Sequence, residues 1–248
     1  MATEFDYGVH YREFNEDTDE YAREMANEVL RTLGNRLPKR TDIDAIDIGC
    51  GMGFAMLALT DRGYRKVVGV DIDRSQIEAC KRRNLDVELI ADLGEYLSRY
   101  PGRFGLVTML DVLEHIPTVQ QIQILKQVNV ALAPGGRLIL KVPNASSIIA
   151  PRWQYIDFTH YTSYTEHSIR FAVKCAGFHS VEVPFDDNLE PRPSLRPNRI
   201  LSKGNRIQFK RWIIRRLWRQ VMLVEMGERQ GNRIPLGVNL LAIADKAL

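Results

Sequence analysis

Only three cysteines, Cys50, Cys80 and Cys175, occur in 248 residues, an odd number at wide spacing. They offer neither a disulfide framework nor a paired-cysteine zinc signature, and they fit a reducing cytoplasm. No apolar run approaches the roughly 20 residues that a membrane-spanning helix needs. The opening residues, Met1-Ala2-Thr3-Glu4-Phe5-Asp6, are acidic and lack the apolar centre of a signal peptide. Acids are missing between positions 191 and 224, where ten Lys and Arg stand. The whole chain is formally +3, so everything outside that segment is net acidic. One basic segment on an acidic body points to a local anionic partner, and speaks against a protein that coats nucleic acid along its whole face.

What is present centres on Ala45-Ile46-Asp47-Ile48-Gly49-Cys50-Gly51-Met52-Gly53-Phe54, an apolar strand running into alternate glycines and then a helix-compatible stretch. Glycines suit a turn that needs positive φ and a ligand that approaches bare backbone. A second strand, Val67-Val68-Gly69-Val70-Asp71, ends in an acid placed to accept hydrogen bonds from ribose hydroxyls. A dinucleotide fingerprint would want glycine at position 54, which is Phe. Asp47 would repel a pyrophosphate at the helix start, whereas a cationic ligand tolerates a carboxylate there.

Hydrophobic periodicity predicts strands at 43–48, 66–71, 87–90, 104–110, 137–142, 180–183 and 237–244. Helices are predicted at 7–33, at 54–61, from Ser75 (paired with Glu78 in a capping box) to 84, at 119–132 before Pro134-Gly135-Gly136, and from Ser163 or Thr165 to 176. Alternation of this kind gives an α/β fold with a mostly parallel sheet.

These motifs resemble the class I S-adenosylmethionine-dependent methyltransferases. The resemblance covers residues 43–183 and the last strand. It implies a Rossmann-like seven-stranded, mostly parallel sheet with a reversed last strand and helices on both faces. The chain is expected to be one domain, with an N-terminal helical lid (1–40), a cofactor-binding core (41–183), a basic insertion (184–236) and the last strand (237–248). S-adenosyl-L-methionine is the implied cofactor. Asp47, Gly49, Cys50, Gly51 and Gly53 match the first motif and Asp71 and Ile72 the second. Asp92 and Leu93 are placed at the adenine, with capping of the next helix as the alternative for Asp92. Leu110, Asp111 and His115 match the segment after the fourth strand, and Tyr11 belongs to the lid.

His115, in Leu110-Asp111-Val112-Leu113-Glu114-His115, resembles the fourth-motif region of small-molecule methyltransferases, including those of ubiquinone biosynthesis. An imidazole there can take a proton from a hydroxyl, or simply hold the loop. His160 and Asp157, in Gln154-Tyr155-Ile156-Asp157-Phe158-Thr159-His160-Tyr161, are the other catalytic candidates, on a loop able to close over an acceptor. The Asn-Pro-Pro-Tyr and Pro-Cys signatures of DNA-modifying relatives are absent, as is an acid and Asn cluster at metal spacing, so metal-free transfer is expected.

Residues 206–224 read as a basic amphipathic helix, suited to an anionic membrane surface, to packing on its own domain, or to a homodimer. The expected reaction is O-methylation of a sugar hydroxyl in surface polysaccharide or other glycan biosynthesis, in the cytoplasm or peripheral to a membrane. Alternatives are a quinone or natural-product O-methyltransferase, and an RNA-binding protein that keeps the fold.

Overall fold

The computed structural model describes residues 14–184 and 202–248. The expected lid residue Tyr11 lies outside them. Seven strands form one sheet: β1 (Asp44–Ile48), β2 (Lys66–Asp71), β3 (Val87–Leu89), β4 (Phe104–Leu110), β5 (Leu132–Pro143), β6 (Ser180–Glu182) and β7 (Asn239–Asp245). Their order is β3-β2-β1-β4-β5-β7-β6. β1 to β5 pair in parallel, while β7 runs antiparallel to both β5 and β6. The reversed last strand is thus inserted between β5 and the edge strand β6.

The helices are α1 (Asp19–Leu33), α2 (Phe54–Asp61), α3 (Arg74–Arg82), α4 (Leu93–Ser98), α5 (Thr118–Ala131), α6 (Ala150–Tyr155), α7 (Glu166–Cys175) and α8 (Lys203–Gly231). Strand periodicity divides the core. Ile46, Val107, Leu138, Leu140 and Leu240 face one side with Leu125, Ile169 and Val173. Ala45, Leu106, Ile139 and Leu241 face the other with Leu33, Leu59 and Tyr64. Burial on both faces is why these strands read as nearly continuous apolar runs.

Several boundaries differ from the sequence expectation, each for a local reason. Of the helix expected over 7–33, residues 7–13 lie outside the described residues; α1 begins at Asp19, where Thr18 caps it, accepting from Tyr21 N. Asp73, not Ser75, caps α3, its carboxylate accepting from Ser75 N at 2.7 Å and Gln76 N at 3.2 Å. Helix α5 passes directly into β5 at Leu132, so Pro134-Gly135-Gly136 lies inside the strand, where the pairing register shifts between Phe104 and Leu106. The segment around Trp153 forms the short α6 where a loop was expected. Thr165 caps α7 in a box with Ser168, one of the two caps expected.

Candidate active site

The glycine turn joins β1 to α2 at the carboxyl edge of the sheet. Gly49, Gly51 and Gly53 have φ of 65°, 53° and 84°, a region side chains resist. Space forbids a side chain as well: a Cβ on Gly49 would stand 2.4 Å from Val112 Cγ2, and one on Gly53 would stand 2.3 Å from Leu85 Cδ1. Gly53 caps α2 without a side chain, so the first-turn amides keep their donors for another partner.

Asp71 is tied to this turn. Its Oδ2 accepts from Gly51 N at 2.9 Å and its Oδ1 from Asp73 N at 2.9 Å. A carboxylate has about four acceptor positions, so capacity for two hydroxyls remains. Burial raises the Asp71 pKa above the usual range. Asp47 is buried under the turn and accepts from Thr108 Oγ1 at 2.6 Å; burial pushes its pKa up to about 7. The Cys50 and Cys80 thiols both face the Gly51 carbonyl, and the neighbouring Cys80 together with burial pushes the Cys50 thiol up. Ile72, just beyond β2, is 60% exposed. Asp92 caps α4, accepting from Glu95 N at 2.6 Å, and Leu93 opens that helix. Leu110 ends β4. The cofactor candidates within the described residues therefore gather along the adjoining ends of β3, β2, β1 and β4.

The loop after β4 abuts the turn through Val112. Asp111 takes φ of 57°, a left-handed conformation uncommon outside glycine. It is held by Lys141, whose Nζ lies 2.5 Å from Asp111 Oδ2. Gln121 Nε2 donates to the carbonyls of Leu113 and Ile116, fixing the short 3-10 turn Leu113–His115. His115 Nδ1 lies 2.7 Å from Thr159 Oγ1, and that hydroxyl donates to Asp157 Oδ1 at 2.6 Å. A hydroxyl has one proton, so Thr159 must accept from His115 Nδ1–H, which leaves Nε2 as the basic nitrogen. His160 Nδ1 stands 2.9 Å from the Trp153 carbonyl, which accepts only, so Nε2 is its basic nitrogen too. The two rings meet edge-on with centroids 4.6 Å apart.

His115, His160 and Asp157 are thus brought together. Asp157 sits 4.0 Å from His160 Nε2 and bonds Thr159 directly, so it orients His115 through Thr159. The sequence reading missed Thr159, whose local sequence carries no signal, and Glu114, whose signal is an acid between apolar neighbours. Glu114 is 1% exposed, and its Oε2 is buried without a hydrogen-bond partner among the described residues. Burial and the Asp111 charge raise its pKa well above the ordinary carboxylate range. Glu114, His115 and His160 each offer one ligand atom within 4.8 Å of the others, a spacing able to hold a divalent cation. The expectation of metal-free transfer concerns acids and Asn at metal spacing and does not address this cluster.

Residues 17–183 match the family model described as a methyltransferase domain. A ubiquinone biosynthesis O-methyltransferase of Idiomarina loihiensis is 31% identical over 105 residues, 40% of this chain and 42% of that protein. The chain spans less than half the length of the curated relatives it matches. Among solved structures, an S-adenosylmethionine-dependent methyltransferase of Archaeoglobus fulgidus superposes with a TM-score of 0.66 at 21% identity, covering 97% of this chain and 99% of that one. A phosphoethanolamine N-methyltransferase of Haemonchus contortus, solved with S-adenosyl-L-methionine, gives a TM-score of 0.59 at 19% identity, covering 94% of this chain and 58% of that one.

Proposed function

Because the chain belongs to the methyltransferase-domain family, we propose that it moves a methyl group from S-adenosyl-L-methionine to a hydroxyl oxygen of a small acceptor. The glycine turn and the α2 amides would hold the cofactor's amino-acid part, Asp71 the ribose, and Ile72, Asp92 and Leu93 the adenine. The buried carboxyl of Asp47 would tolerate the cofactor's positive charge but not the negative charge of a pyrophosphate. Bound there, the cofactor supplies an electrophilic methyl on a positively charged sulfur.

One observation carries the reading: His115, oriented by Thr159 and Asp157, stands on the loop that packs against Gly49. An imidazole in that tautomer would take the hydroxyl proton on Nε2 as the acceptor oxygen displaced sulfur at the methyl carbon the cofactor would supply. Most of the acceleration would come from aligning two bound reactants, with the base contributing about 10²–10⁴-fold. His160 and Asp157 complete the polar wall on which an acceptor would sit.

The curated relatives carry names from ubiquinone biosynthesis, which favours a phenolic hydroxyl over the sugar hydroxyl expected from the sequence. The test incubates the protein with methyl-labelled cofactor and separate phenolic, sugar, amine and RNA acceptors. Label on the phenol alone supports the reading. Label on an amine or RNA overturns the oxygen assignment, and label on a sugar overturns the acceptor class.

A further inference from the structure

Helix α8 carries its apolar stripe on the side away from the protein. Gln208, Arg215, Trp218, Arg219, Met222 and Leu223 are half-buried, and Trp218 Nε1 donates to the Ser146 carbonyl at 2.9 Å, so this face rests on the body. Arg219 also donates to the Gly231 carbonyl, where the chain folds back after the break at Gly227. The opposite face is the outer one. Along it, at spacings of three or four, stand Lys203, Arg206, Lys210, Ile214, Leu217, Val221 and Val224, all exposed. Leu217 is 64% and Val224 81% exposed. A helix that only packed on its own domain would show the reverse.

We propose that this outer face seats α8 on an anionic phospholipid surface, with the aliphatic end of the stripe among acyl chains and the cationic end at the phosphates. Three features select that occupant. The helix carries seven Lys and Arg and no acid from 203 to 224, so a second copy laid parallel against it would oppose like charges, and an antiparallel one would set Lys203 and Arg206 against aliphatic side chains. Nucleic acid would use outward arginines and gain nothing from Ile214, Leu217 and Val221. A lipid interface satisfies both halves at once, because long cationic stems reach phosphate while aliphatic side chains enter the acyl boundary. Further exposed apolar residues stand near in sequence to Ser146, the residue that anchors Trp218: Ile148 and Ile149 follow it, and Phe158, beside Thr159, is 93% exposed. Among the described residues no helix is long and apolar enough to cross a membrane, so the contact is peripheral.

Flotation of the full chain with phosphatidylglycerol–phosphatidylcholine vesicles tests this, read separately from methyl transfer. The expected result is binding that weakens as salt rises, is at least about tenfold weaker with phosphatidylcholine alone, and falls at least about tenfold in L217Q/V221Q and in K203E/K210E. These positions are exposed, so the variants should keep the parent's melting temperature and cofactor binding. Three results would overturn the proposal: no binding to anionic vesicles, binding undiminished in both variants, or self-association in solution that L217Q/V221Q abolishes. Preference for RNA over vesicles at equal salt would overturn it too.

Discussion

His115 and Thr159 stand 44 residues apart in the chain, yet Nδ1 of one lies 2.7 Å from Oγ1 of the other. Since the hydroxyl spends its own proton on Asp157, this contact decides which imidazole nitrogen is basic. Under the proposed function, this relationship makes Thr159 a positioning residue and His115 the proton acceptor. His115→Ala should lower kcat by about 10²–10⁴-fold with little change in cofactor affinity. Thr159→Val should lower kcat less, by about tenfold, and displace the acidic limb of the kcat–pH profile because the tautomer is no longer fixed. An unchanged kcat in His115→Ala would remove the base assignment.

Gly49→Ala places a Cβ against Val112 and holds φ at 65°, so it combines a clash with backbone strain. The turn must shift, and S-adenosyl-L-methionine affinity should fall at least about tenfold, about 1.4 kcal/mol. Titration calorimetry with the cofactor and its demethylated product reads this directly. Parent-like affinity would show that the turn does not hold the cofactor.

Asp47 gives a pH signature. Its pKa is about 7 when folded against 3.8 when exposed, so between those values the folded protein keeps a proton that the unfolded chain has lost. Stability from this group therefore falls as pH rises through that window and levels above it. Asp47→Asn should flatten the slope, because an amide oxygen still accepts from Thr108 and never ionises. Thermal melts of both proteins from about pH 4 to 8 check it; equal slopes would exclude Asp47 as the source.

The cluster of Glu114, His115 and His160 should accept one Co²⁺ per chain, seen as visible absorption from mixed nitrogen and oxygen ligation. His160→Ala should weaken that binding, since it removes one of three ligand atoms. Absorption that persists in the variant would place the ion elsewhere.

Much of this protein was settled locally in the sequence. Strands β2 and β4 and helix α2 match their predicted spans, because buried parallel strands and a glycine turn depend on residues adjacent in the chain. The motif acids Asp47 and Asp71 were legible for the same reason: each sits at the end of a strand whose direction the sequence fixes. Helix caps were less legible, since Asp73 and Ser75 are both capable and only backbone geometry selects between them.

Tertiary structure decided what long-range packing controls. His115 meets His160, and Asp157 reaches His115 through Thr159, only because the loops after β4 and β5 converge where Tyr161 N donates to the Glu114 carbonyl. The burial of Glu114 follows from that convergence and not from its neighbours in sequence. Periodicity in α8 marked an apolar stripe but not its direction. A helix wheel is symmetric about its axis, and only the contacts of Trp218 and Arg219 with the body turn that stripe outward.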